Sequence, residues 1–123
     1  MTTFVLVPGA GGQAWYWHRV VPRLRFRGHE AVAVELPAGD PRAGLEDYVR
    51  AVVAAVPPGV TRSAGGEGLA VVGQSLGGLV APLVADRVGA DLVVLVCAMV
   101  PLPGETGGQW WEATGQGEAM RRF

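Results

Sequence analysis

Four short runs of apolar residues, none with polar alternation, constrain this chain more than any other feature: residues 4–7, 31–34, 69–72 and 92–96. A strand that is apolar at every position must be covered on both faces, which is the situation of a parallel sheet flanked by helices. The intervals between the runs carry helical spacing instead. Trp17, Val20, Val21 and Leu24 fall on one stripe, Leu45, Tyr48, Val49, Val52, Val53 and Val56 on a second, and Leu76, Leu79, Val80, Leu83 and Val84 on a third. The resulting βαβαβαβ alternation predicts an α/β fold: a doubly wound, mostly parallel sheet with right-handed crossovers and helices on both faces. Pro57-Pro58-Gly59 ends the second helix, while Pro82 lies inside the third, where it frees the Gly78 carbonyl and is expected to kink the helix. Residues 60–68 are polar and glycine-rich and read as a mobile surface loop. Pro101-Leu102-Pro103-Gly104 then breaks the pattern, so residues 1–100 form the core and 101–123 a separate, incomplete segment with one short candidate helix near Trp110 and Trp111.

At 123 residues, half of them apolar, the chain is at most one domain. A formal net charge of -1 leaves no electrostatic ground for a nucleic-acid or membrane-surface partner, so a small neutral ligand is the better expectation. The longest apolar run, 92–100, is far shorter than the roughly 20 residues needed to span a bilayer. No basic region precedes an apolar stretch at the start, and a cytoplasmic location is expected. Cys97 is the only cysteine, which excludes an internal disulfide, and at the end of an apolar strand it is expected to be a buried, inert thiol. No cofactor or metal is expected. Glycine is abundant, at 19 residues, but ordered: the glycines gather at 9–12, 65–68, 73–78 and 104–108, between the periodic segments, where tight turns and close backbone approach are needed.

Gly73-Gln74-Ser75-Leu76-Gly77 fits G-x-S-x-G, with an apolar strand before it and an amphipathic helix after it. In that setting a sharp strand-to-helix turn lifts the serine hydroxyl out of the sheet, and the strained backbone leaves no room for side chains at Gly73 and Gly77. The following helix aims its N–H groups and positive dipole end at the place where an oxyanion would form. The blander alternative is a helix start with a serine cap. After the first strand, Pro8-Gly9-Ala10-Gly11-Gly12 leads into Trp15-Tyr16-Trp17-His18. Ligands of doubly wound sheets bind above the carboxyl ends of the strands where the order reverses. If the first and third strands are neighbours, this loop and Ser75 meet there, and the backbone N–H groups of Ala10 and Leu76 are the candidate oxyanion donors.

Taken together, the Gly9-Ala10-Gly11-Gly12 loop, the Trp15-x-Trp17 pair, the Arg27-Gly28-His29-Glu30 turn and Gly73-Gln74-Ser75-Leu76-Gly77-Gly78 resemble the α/β-hydrolase superfamily, and within it the small esterase and hydroxynitrile-lyase-like branch. The resemblance runs from Phe4 to about Trp111. It implies a nucleophilic serine at Ser75, oxyanion donors at Ala10 and Leu76, a small ester-like substrate, and a cap beginning after the fourth strand. Trp110 and Trp111 would fall in that cap, lining an acyl or aromatic pocket or simply packing beneath it.

The triad order of this fold is Ser, then Asp or Glu, then His, and no histidine follows Ser75. His18 and His29 both precede it and are expected to lie out of reach, and Glu105 is a weak substitute for the acid. An apolar fourth strand left at the sheet edge is an association site, so a homodimer through that edge is an open expectation. The simplest account is a truncated α/β-hydrolase fold, its N-terminal half, inactive by itself, with acid and histidine lying downstream or on a partner chain. Two alternatives stand beside it. A non-catalytic, hydrolase-like binding protein would also lack the base. A dinucleotide-binding oxidoreductase fragment would use Gly9-Ala10-Gly11-Gly12-Gln13-Ala14 as its fingerprint and Glu35 for a ribose hydroxyl, but it needs a helix starting among the glycines and so places Pro22 deep inside that helix.

Overall fold

A computed structural model describes residues 1–60 and 68–123. Most of the expected loop at 60–68 therefore lies outside the described residues. The strands are β1 (Thr2–Val7), β2 (Glu30–Ala33), β3 (Gly68–Gln74) and β4 (Leu92–Val96), and the helices are α1 (Val21–Phe26), α2 (Leu45–Ala55), α3 (Gly77–Val88), α4 (Gly107–Ala113) and α5 (Gln116–Arg121). All strand pairs are parallel and the order is β2-β1-β3-β4. The chain steps outward from β1 to β2 and then returns past β1 to β3, so the order reverses between β1 and β3.

The absence of alternation in β1 is explained by two cores, one on each face. Val5 and Val7 join Val49 and Val52 of α2, Val71 of β3, and Val80 and Val84 of α3. Leu6 points the other way, to Trp17, Ala31 and Val72. Successive side chains of a strand face opposite sides, so apolar residues at every position mean that both sides are covered. Trp17 is buried, and its indole N–H finds no acceptor among the described residues.

The first helical stripe does not form one helix. A 3₁₀ turn occupies Ala14–Trp17, and α1 begins only at Val21, which puts Pro22 in its first turn. There the missing N–H has no intrahelical partner to lose. No helix starts among the glycines at 9–12, and Glu35, the ribose ligand of the dinucleotide alternative, accepts a hydrogen bond from the Ala14 N–H at 2.6 Å. Helix α3 runs on through Pro82, whose ring lies on the exposed side. The expectation for Cys97 is corrected: it is exposed, like Leu95 and Val96 before it on the edge strand β4, and the chain turns there with φ 45°. Helix α4 is capped as a box, with the Gln109 N–H donating to Thr106 Oγ1 at 3.1 Å and the Thr106 N–H to Gln109 Oε1 at 2.8 Å. Helix α5 has no counterpart in the sequence reading. No helix among the described residues is long and apolar enough to cross a membrane.

Candidate functional site

At the carboxyl end of β3 the chain turns into α3 within two residues. Ser75 has φ 51°, a left-handed conformation that costs a non-glycine residue about 1–3 kcal/mol and persists only where the surroundings enforce it. Two glycines make the turn possible. A Cβ at Gly73 would stand 2.5 Å from the Gly77 carbonyl oxygen, and one at Gly77 would stand 3.0 Å from the carbonyl oxygens of Val7 and Pro8. The start of α3 is thereby pressed against the end of β1.

The strand order brings the loop after β1 to the same place. Gly9 passes so close that a Cβ there would lie 3.0 Å from the Ser75 Cβ and 2.5 Å from Gln74 Oε1. The loop is tied to the segment after β2 as well, since the Leu36 N–H donates to the Gly12 carbonyl at 2.8 Å. Gly12, at φ 66°, leaves no space for a side chain against Leu36 and Ala38. Between loop and turn lies a cavity of about 370 Å³ lined by Pro8, Gly9, Ala10, Gly11, Gln13, Trp15, Tyr16, Gln74 and Ser75. It contains no charged side chain. Ala10 and Ser75 thus share one cavity, with Leu76 next in sequence to Ser75. Among the hydrogen bonds of the described residues, neither the Ala10 N–H nor the Leu76 N–H donates to any acceptor.

The remaining candidates lie elsewhere. His29 is at the opposite end of the sheet, where its Nδ1 accepts from the Thr2 N–H at 3.2 Å. His18 stacks on Trp15 with ring centroids 4.1 Å apart, its ring nitrogen 2.8 Å from the Trp15 carbonyl oxygen, and does not line the cavity. Glu105 accepts from the Leu102 N–H at 3.1 Å, beside a different groove. Trp110 and Trp111 do not line the Ser75 cavity: the Trp110 indole N–H donates to the Val100 carbonyl, and Trp111 packs on Gly117 of α5. Sequence reading missed Gln13, Tyr16 and Gln74 as cavity residues. Gln74 had a signal, since it precedes Ser75 at the strand end; the other two had only their place after the glycine loop.

The sequence model described as the alpha/beta hydrolase family matches residues 4–123. The chain belongs to the α/β-hydrolase family. Among its relatives, this hydrolase-family chain is 38% identical over 129 residues to a probable esterase, PIR7A, of Oryza sativa subsp. indica, covering 98% of this chain and 46% of that protein. It is 34% identical over 110 residues to the alpha-hydroxynitrile lyase of Arabidopsis thaliana, covering 84% and 41%. The crystal structure of polyneuridine aldehyde esterase superposes with a TM-score of 0.69 at 28% identity, covering 94% of this chain and 48% of that one. The chain thus spans less than half the length of these α/β-hydrolase relatives, and what it presents is a partial version of their fold.

Proposed function

We propose that Ser75 is the nucleophile of a serine hydrolase that acts on a small ester or related acyl substrate, with the Ala10 and Leu76 N–H groups as its oxyanion hole. The observation that carries this reading is the left-handed backbone of Ser75 at the rim of an uncharged cavity, flanked by two amides that donate to nothing else among the described residues. Esterases among the relatives support the acyl substrate. In the proposed reaction the Ser75 oxygen adds to the ester carbonyl carbon and the carbonyl oxygen takes the negative charge. Each backbone donor aimed at that oxygen is worth about 10²–10³ in rate.

The serine proton needs an acceptor. His18 is engaged with Trp15 and His29 with Thr2, so base and acid come, in this reading, from sequence or a chain beyond these 123 residues. A non-catalytic binding protein on the same scaffold is the second reading, favoured by that same commitment of both histidines.

Imidazole added to the 123-residue chain distinguishes the two, because it supplies the absent base in solution. Fluorophosphonate labelling followed by mass spectrometry is expected to be slow without imidazole, to accelerate with its concentration, to fall on Ser75, and to vanish in Ser75→Ala. Adducts spread over other residues, or a Ser75 rate indifferent to imidazole, would favour the binding protein.

A further inference from the structure

Only two non-glycine residues among those described have positive φ, Ser75 at 51° and Cys97 at 45°. They are neighbours in space. The β3–β4 register pairs Gln74 with Val96, so the next residue of each strand, Ser75 and Cys97, leaves the sheet side by side. Hydrogen bonds then join the two turns on both sides of the serine. The Ser75 N–H donates to the Val96 carbonyl at 3.2 Å, and the Met99 N–H donates to the Ser75 carbonyl at 2.9 Å. The same Ser75 carbonyl also accepts from the Gly78 N–H at 3.0 Å.

Packing closes the join. A Cβ on Gly78 would overlap the Met99 carbonyl oxygen and lie 2.9 Å from the Ala98 Cβ. The first turn of α3 therefore seats directly on residues 98 and 99, and Met99 itself is buried. The left-handed step at Cys97 falls where the chain leaves β4, two residues before the Met99 N–H that meets the serine carbonyl.

We infer that the turn formed by Cys97, Ala98 and Met99 is a positioning element for Ser75: it clasps the serine backbone from the β4 side and, with Gly78 as its seat, holds Ser75 in the left-handed conformation. The thiol takes no part. Any residue that tolerates a left-handed backbone serves at position 97, and a β-branched residue does not. The catalytic meaning of the clasp rests on Ser75 being the nucleophile, whereas the clasp itself is measurable without catalysis.

Amide hydrogen exchange on the 123-residue chain tests it. In Cys97→Val the Ser75 and Met99 amides are expected to exchange at least about tenfold faster, while the interior amides of β1 and β3 keep their protection. Cys97→Asn and Cys97→Gly are expected to retain the Ser75 and Met99 protection, and the Ser75 Cα and Cβ chemical shifts should leave the left-handed pattern only in the valine variant. A uniform change across all amides, or unchanged protection at Ser75, would mean that the turn bears on stability alone and would overturn the inference. If Cys97→Val does not fold, Cys97→Ala is judged by the same selectivity between Ser75 and the strand interiors. A negative exchange result leaves the fluorophosphonate outcome untouched, so failure of the clasp and failure of the nucleophile are separable.

Discussion

Strands β1 and β4 both flank β3, both pair with it in parallel, and both carry an unbroken apolar run, yet they meet different fates. Val5, Leu6 and Val7 are 0–1% exposed, whereas Leu92, Leu95 and Val96 are 54%, 45% and 38% exposed. β1 has strands on both edges and helices on both faces. β4 is an edge strand, and only its central residues Val93 and Val94 reach the two cores, one on each side. An apolar run therefore reports how much cover a strand is built for, not how much the residues at hand provide. At β4 the surplus continues into Val100 and Leu102, also exposed, making an apolar rim of the kind that associates.

The comparison is broken most directly by truncating a leucine in each strand. Leu6→Ala is expected to cost about 2–5 kcal/mol in urea unfolding. The same change at Leu95 should cost about 1 kcal/mol or less, since much of that side chain already meets water. Equal losses would show that β4 is covered in solution.

Next in size is a test of the close-packed turn against an open one. Gly73→Ala places a methyl group 2.5 Å from the Gly77 carbonyl and 2.9 Å from the Ala81 Cβ, with backbone on one side and a helix on the other, and should cost about 1–3 kcal/mol. Gly39→Ala, where a Cβ meets nothing within 4 Å, should stay within about 0.5 kcal/mol. Similar denaturation midpoints for the two variants would remove the argument that Gly73 is required by contact.

A third test leaves stability nearly unchanged and reads association instead. Leu95→Lys puts a charge on the β4 edge, and sedimentation is expected to show less self-association than the parent chain. A parent that is monomeric at all concentrations would assign the apolar rim no role between copies of this chain.

The smallest effect concerns the clamp between α2 and α3. Arg87 donates from both terminal nitrogens to the Glu46 carboxylate at 2.7 Å, and Arg50 approaches the same group at 3.4 Å. The Arg87 hydrogen bonds are the main reason the Glu46 carboxyl is held below its ordinary value of 4.5, and the same pairing raises Arg87. A carboxyl whose pKa is depressed by folding lends stability above its unfolded value and loses it as pH falls through the folded one. Glu46→Gln should thus lower the urea midpoint slightly at neutral pH, and the gap should close as pH drops below the ordinary carboxylate range. A gap that persists in acid would trace to packing.

The sequence disclosed the strands because each is a run too uniform for any environment but the inside of a parallel sheet, and the Ser75 turn because glycines at 73 and 77 bracket it. It did not disclose the split of the first helical segment. Trp17, Val20, Val21 and Leu24 share a stripe whether or not the backbone is continuous, and Pro22 alone marks where α1 can begin. Helix α5 was illegible for want of a buried face: Met120 is its one large apolar residue and it is exposed. Cys97 misled because composition around it reads as strand interior, whereas the chain turns off β4 there and residues 98 and 99 meet Ser75 and Gly78, which are distant in sequence. The meeting of the Gly9 loop with Ser75 was legible only conditionally, on the adjacency of β1 and β3, and the observed order supplies that condition.

That adjacency also has a temporal side. Thr2 pairs with Gly68 and Val7 with Gly73, while the other edge of β1 is satisfied much earlier in the chain, by Thr3 opposite Glu30. During synthesis at about 5–20 residues per second, the β3-facing edge of β1 waits on the order of 3–13 seconds for a partner that the ribosome has yet to release. Through that interval β1, apolar from Phe4 to Val7, lacks a partner on one edge, and the glycine loop at its end has nothing to close against. The site beside Ser75 is thus assembled from two segments far apart in the chain, and its formation waits on the synthesis of β3 rather than on any local turn.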